Sequence, residues 1–238
     1  MANQMVRPVT LRTVCGMAVL ALSPAYAATA LVTSSAALGA NDAVNWATLG
    51  SDGTTVNSIA FPAFSGAGLL VFGSSLQGSA LPLKLVTQGL SFFGNFSTGD
   101  RLLSTDAGPG PMIFRFFSNV SGAGVQIQRN LLGTFIAQIS AFDTAGNPLQ
   151  ANTFDYQEAG FSAIGGNPAI FLGISSTSAD IAKIEIQVLP ATGISSTSFA
   201  IDSLQLVNPA AAVPEPQTWA LMLAGLGVFG VAARSRRV

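Results

Sequence analysis

The chain contains no histidine in its 238 residues. Every site built on an imidazole is thereby excluded: a Ser-His-Asp triad, a His-ligated zinc, a haem held by a proximal His. Cysteine occurs once, at Cys15 inside an apolar N-terminal run, so the chain has no disulfide framework of its own. The only lysines are Lys84 and Lys183, and neither sits in a Ser-x-x-Lys frame. Charged residues make up 9% of the chain, against roughly 25% in an average soluble domain. With a net charge of −1 there is no basic patch to follow a phosphate backbone, and no nucleic-acid partner is expected.

What charge there is sits unevenly. Arg7 and Arg12 precede the first apolar run, and Arg234, Arg236 and Arg237 end the chain. Between Ala28 and Val213 five basic residues face ten acidic ones, leaving −5. The two ends read as addresses. Arg7 and Arg12, the apolar stretch Val14–Leu22, the breaker Ser23-Pro24 and the small residues Ala25 and Ala27 have the three-part layout of a secretory signal peptide over 1–27. Cleavage is expected after Ala27, with Ala28-Thr29-Ala30 as a second candidate site. At the other end, Thr218–Ala233 carries no charge. As a helix it would run roughly 24 Å, a short span for a bilayer core of about 30 Å. Trp219 suits an interfacial position, and the basic tail 234–238 marks the side that stays inside.

Pro214, Glu215 and Pro216, the short apolar span, and Arg234, Arg236 and Arg237 together resemble the PEP-CTERM sorting signal of Gram-negative bacteria, over 214–238. The resemblance implies processing by an exosortase, a membrane protease-transpeptidase, after export by the Sec machinery. It also implies an intermediate tethered to the inner membrane by the C-terminal helix, with its ectodomain in the periplasm, and delivery to the cell surface or extracellular matrix. Physically, two prolines stiffen and expose a polar stub, which suits proteolytic access.

The centre lacks any long helical period and is rich in short β-branched and aromatic runs bounded by Gly, Pro, Asn and Ser. Strand candidates are Gly68–Phe72, Leu83–Thr87, Pro111–Phe117, Val125–Gln128, Thr134–Asp143, Leu149–Tyr156, Ala169–Ile174, Ala182–Val188 and Thr197–Val207, with a turn at Thr144–Pro148. In Thr134–Asp143, Phe135, Ala137, Ile139 and Ala141 share a face; Ala182, Ile184, Ile186 and Val188 alternate with Lys183, Glu185 and Gln187. The spacing predicts an all-β fold, a jelly-roll-like antiparallel β-sandwich over 40–208, flanked by the signal helix and the membrane helix. Residues 28–39 are expected to be a leader to that domain and 209–213 a linker. Gly-Ile-Ser-Ser-Thr-Ser occurs at 173–178 and again at 193–198, read as two polar lead-ins to strands.

Asp42-x-x-x-Trp46-x-x-Leu49-Gly50, Gly124-x-Gln126-Ile127-Gln128 and Phe199–Leu204 resemble segments of the globular part of PEP-CTERM proteins, which is similar to lectin-like and carbohydrate-binding jelly rolls. That likeness implies two candidate sites. One is a structural calcium on Asn41, Asp42 and Asp202, since calcium takes carboxylate and carbonyl oxygens and the first and last strands could be neighbours. The other is a sugar contact on Trp46 and Tyr156, the aromatic platforms that remain once the ends are removed. Two carboxyl pairs close in sequence, Asp155 with Glu158 and Asp100 with Asp106, fall in turns and read as solvated. The expectation is therefore an exported, non-enzymatic surface or matrix protein with no obligatory cofactor. The alternative is a carbohydrate-binding, lectin-like module at the cell surface that engages extracellular polysaccharide.

Overall fold

A computed structural model of the chain describes residues 28–57, 59–75, 83–105, 110–162, 168–192 and 197–209. The signal peptide expected over 1–27, the linker beyond Pro209, the sorting segment 214–238 with its span 218–233, and Asp106 lie outside these residues. No helix among the described residues is long and apolar enough to cross a membrane.

In chain order the strands are β1 (Thr29–Val32), β2 (Asp42–Val44), β3 (Thr55–Val56), β4 (Phe61–Phe64), β5 (Leu70–Ser75), β6 (Leu83–Thr87), β7 (Arg101–Ser104), β8 (Met112–Val120), β9 (Gly122–Arg129), β10 (Gly133–Phe142), β11 (Tyr156–Ser162), β12 (Ile170–Ser176), β13 (Ile181–Pro190), β14 (Phe199–Ile201) and β15 (Leu204–Val207). Nine form one antiparallel sheet in the order β1-β12-β9-β14-β7-β6-β3, in which β15 follows β14 along β9 and β2 lies outside β15. Six form the second, in the order β11-β10-β13-β8-β5-β4. The two sheets pack face to face, as an all-β sandwich requires.

The core follows from alternation. On β10, Phe135, Ala137, Ile139 and Ala141 are all buried, facing Val125 and Ile127 of β9 and Leu172 and Ile174 of β12 across the interior. The run Met112–Phe117 places Met112, Phe114 and Phe116 inward and leaves Arg115 and Phe117 exposed. On β13 the inward set is Ile181, Ile184, Ile186 and Val188. Ala182 is only half-buried, because the register with β8 shifts between Ile181 and Lys183 and the alternation slips there.

Three expectations on boundaries are corrected. Residues 28–39 are not a leader outside the sandwich: β1 pairs with β12 from Thr29 to Val32, and the helical turn Ser35–Leu38 buries Leu38 against Val32 and Phe171. That turn is capped by the Ser34 hydroxyl, which accepts from the Ala37 amide at 3.2 Å, and ends on Gly39 in the left-handed region. The return expected from Leu149 begins only at Tyr156, because the Asp155 carboxylate accepts from the Asn152 amide at 2.8 Å and holds 152–155 as a turn. The first Gly-Ile-Ser-Ser-Thr-Ser copy does precede β13, but it is not all lead-in: Gly173–Ser176 is the end of β12, paired with β1.

The sheet register also fixes where the chain enters and leaves. Thr29 opposes Ser176, the Ser176 amide donates to the Ser121 carbonyl, and the Ser121 amide donates to the Val207 carbonyl. The first and last strands thus terminate on one row, three strand spacings apart, or roughly 14 Å.

Candidate functional site

The three segments singled out in the sequence meet in the middle of the larger sheet. Along β9, Ile201 opposes Ile127 and Gln205 opposes Gly124. Two residues of β9 lie between those pairs, and three residues of the partner: a one-residue bulge at Asp202-Ser203. The bulge reverses the alternation. Phe199 and Ile201 point inward before it, Leu204 and Leu206 after it. Asp202 therefore does not share a face with Leu204 and Leu206. Its amide still donates to the Gln126 carbonyl at 3.0 Å, while its own carbonyl turns inward and accepts from Trp46 Nε1 at 2.8 Å.

That contact settles where Trp46 belongs. It opens a 3₁₀ turn (Trp46–Leu49), capped by the Asn45 side chain, which accepts from the Ala47 amide at 2.9 Å. Its ring is 0% exposed and stacks on Phe114 at 5.6 Å. A buried indole offers no face to a sugar, so the expected sugar contact at Trp46 is corrected to a core role. Tyr156 lies in β11, with its hydroxyl engaged by Thr29: it donates to the Thr29 carbonyl at 2.6 Å and lies 2.9 Å from Thr29 Oγ1. It latches β1 to β11, edge strands of the two sheets, and forms no platform with Trp46.

The calcium expectation rested on the first and last strands being neighbours, and in part they are: β2 pairs with β15, Leu206 opposite Asp42. The donors nevertheless do not make a cation site. The Asp42 carboxylate accepts from the amides of Ala43 at 2.8 Å and Ala67 at 2.9 Å, from Asn208 Nδ2 at 2.7 Å and from the Ser65 hydroxyl. Four inward-pointing donors fill both oxygens and would repel a cation. Burial opposes ionisation of Asp42, but the donors from Ser65, Ala67, Ala43 and Asn208 outweigh it and hold the carboxyl below its usual range. Asn41 is taken up by Asn208 in a two-way clasp, Asn208 N to Asn41 Oδ1 at 2.8 Å and Asn41 Nδ2 to Asn208 O at 3.0 Å. Asp202 lies four residues along the strand from Leu206, roughly 13 Å away. Burial, and then the Asp100 charge, push its carboxyl upward. No group of three or more acidic, His or Cys side chains converges among the described residues. Of the carboxyl pairs, Asp155 is held in its turn, Glu158 opposes Ala137 on β11, and Asp100 accepts from the Ser97 amide at 2.9 Å.

A cleft that the sequence reading did not flag lies at the far end of β9. The segment 88–100 folds back over the outer face of the larger sheet, burying Phe92 and Phe96 on Val86, Leu102 and Ala200. Gln88 staples it, its Nε2 donating to the Gly94 carbonyl at 2.6 Å, and buried Gln128 accepts from the Asn95 amide at 2.7 Å. Between this flap and β9 is a cavity of about 350 Å³, floored by Ser104, Gln128, Arg129, Asn130 and Ser162. Phe93, 68% exposed, and Leu132, 61% exposed, stand at its rim. The polar floor is ordered: Asn130 Nδ2 donates to Ser104 Oγ at 3.0 Å, and Ser162 Oγ donates to the Arg129 carbonyl at 3.0 Å. Arg129 is half-buried, and its Nε is buried with no acceptor among the described residues. One signal pointed here: Arg129, one of five central cations, ends the alternating run Val125–Gln128. The flap that completes the cleft has no periodicity by which to find it.

Comparison with known proteins finds the PEP-CTERM protein-sorting motif at residues 212–237. The chain thus carries the signal that marks a protein for export, for a membrane-anchored intermediate and for processing by an exosortase. No curated protein matches the chain.

Proposed function

We propose that the chain is an exported, non-enzymatic protein of the cell surface or extracellular matrix, moved by Sec, held at the inner membrane by its C-terminal span and released from it by exosortase processing at Pro214-Glu215-Pro216. The sorting motif at 212–237 carries this reading. The central sandwich supports it, because Asp42, Asp143 and Asp155 are engaged in fixing turns and strand ends. Intact mass of the protein from the cell envelope and from the medium tests it. The expected species begins after Ala27 and has lost or exchanged its tail near Pro214. Full-length chain dissolved in the cytosol would overturn the reading.

A second reading, a carbohydrate-binding module at the same location, is supported by the cleft at the end of β9. It offers hydroxyl and amide groups on one side and an exposed phenylalanine on the other. Retention of the purified chain on a glycan panel, lost on Phe93→Ala, tests that reading.

A further inference from the structure

We propose that the outer face of β4, β5 and β8, which carries Phe64, Phe72 and Phe117, rests on the lipid bilayer while the chain is anchored, with its phenyl rings set into the headgroup layer. The inference rests on the anchored reading above and adds to it a second contact between the sandwich and the membrane.

The register defines the face. Pro62 of β4 opposes Phe72 of β5, and Phe72 opposes Arg115 of β8. Residues opposed across a ladder share a face. One row nearer the end of the sheet, Phe64 opposes Leu70. The alternating neighbours Phe61, Val71 and Phe116 are in the core, so the set with Phe64 and Phe72 points away from it. Phe117, the next residue after Phe116, points outward with them and is 77% exposed; Phe64 is 59% exposed and Phe72 41%. Three phenylalanines turned to water on one sheet face are unfavourable until a surface covers them.

Position selects the bilayer as that surface. Ser65, next after Phe64, donates its hydroxyl to Asp42 Oδ2, and Asn208 Nδ2 donates to the same oxygen at 2.7 Å. Ser121, where β8 passes into β9, donates its amide to the Val207 carbonyl at 2.9 Å. The Phe64 and Phe117 ends of the face thus flank the point at which the chain leaves the sandwich. From Asn208 to the apolar segment opening at Thr218 the chain spans at most roughly 35 Å. The sorting motif at 212–237 marks a membrane-anchored intermediate. The chain's own anchor therefore keeps a bilayer within reach of these rings at high effective concentration, whereas a second copy has to arrive by diffusion.

Charge agrees with position. The centre of the chain has ten acidic residues, yet 61–75 and 112–120 contain none, and their one charged residue is Arg115. A carboxylate-rich face resists approach to anionic headgroups, and this face has no carboxylate on its strands. Arg115, exposed beside Phe72, has a guanidinium that suits a lipid phosphate. Apolar side chains of interfacial elements settle about 5–10 Å into the headgroup boundary. Phe64 and Phe117, nearest the chain exit, go deepest, and Phe72 lies one pleat repeat, roughly 7 Å, further out.

The test is hydroxyl-radical footprinting, read by mass spectrometry, of the chain recovered from membranes and placed in nanodiscs of phosphatidylethanolamine and phosphatidylglycerol. Phe93 on the flap and Phe161, which opposes Thr134 far from the chain exit, serve as references of the same residue type and comparable exposure. Phe64 and Phe117 should be modified at least about fivefold more slowly than these references, with Phe72 in between, in discs that hold one copy. Phe64→Ser with Phe117→Ser should raise modification of Phe72 to the rate of Phe161. The comparison within the unaltered chain does not depend on any variant folding. Modification of Phe64 and Phe117 as fast as Phe93, or protection only in discs that hold two copies, overturns the inference and leaves the anchored reading standing. A chain that does not stay with the discs overturns both.

Discussion

The Trp46 indole donates to the Asp202 carbonyl at 2.8 Å at the point where the last strand slips by one residue against β9. The hydrogen bond satisfies a carbonyl that the bulge has turned away from the ladder, and the ring beneath it packs on Phe114. Trp46→Phe keeps most of the packing and removes the donor; it should cost about 1–3 kcal/mol in urea unfolding of the whole chain. Trp46→Ala adds a cavity and should cost about 3–5 kcal/mol. A loss under about 0.5 kcal/mol for Trp46→Phe would mean that the carbonyl finds another partner.

Asp42 should make the fold acid-sensitive. Its carboxyl is held below the ordinary value of 3.8, so its contribution is complete above that pH and is lost as pH falls through the lowered folded-state value. Asp42→Asn should flatten this part of the stability profile and lower stability at neutral pH by about 1–2 kcal/mol, because the amide turns a donor toward Asn208. With the carboxylate so occupied, EDTA should leave the unfolding midpoint unchanged.

Asp202 should act with the opposite sign. Burial raises its folded-state value above 3.8, so the native state holds its proton more tightly and stability declines as pH rises through the raised value. Asp202→Asn removes the charge and leaves in place the backbone groups that meet Trp46 and Gln126. Urea midpoints between pH 4 and pH 7 should lose their downward slope in this variant, and the neutral-pH midpoint should rise or hold. A fall at pH 7 would show that the carboxylate has a favourable partner.

Gly160 faces Phe135 across the β10–β11 ladder, and a Cβ there would enter the phenyl ring. The ring lies over the glycine and covers its backbone, a pairing repeated by Phe61 over Gly73. Gly160→Ala should cost about 1–3 kcal/mol by displacing the ring. Adding Phe135→Leu should make the double variant less destabilised than the sum of the two single changes, since the clash and the ring are one interaction.

The sandwich was legible where a strand alternates without interruption. β10 matches the sequence reading residue for residue because nothing breaks its period over Phe135–Ala141. Where a bulge intervenes, pattern reading assigns the wrong face: alternation groups Ala182 with Ile184, Ile186 and Val188, yet the shift between Ile181 and Lys183 leaves it half-buried, since an extra residue costs nothing in composition and reverses every side chain beyond it. β1 was missed because four residues in front of a Ser-rich stretch carry too little hydrophobic signal, and its pairing with β12 depends on a strand more than 130 positions away. The candidate residues failed for a related reason. Trp46 and Asp202 do meet, but as structural partners, and Asp42 is taken up by Ser65, Ala67, Ala43 and Asn208. Whether a carboxylate is free or saturated depends on backbone amides and distant asparagines, and composition carries no record of them.

The shared terminal row has a bearing on how the molecule is presented. Thr29 and Val207 leave from the Gly122 end of the sandwich, whereas Arg129 closes the opposite pole, seven residues or roughly 23 Å along β9. A support that takes hold next to Thr29 or Val207 therefore grips the sandwich at the pole away from Arg129, as a stalk holds a cup. Orientation of that kind needs no second attachment point, because it is already written into the parity of three antiparallel crossings between the first strand and the last.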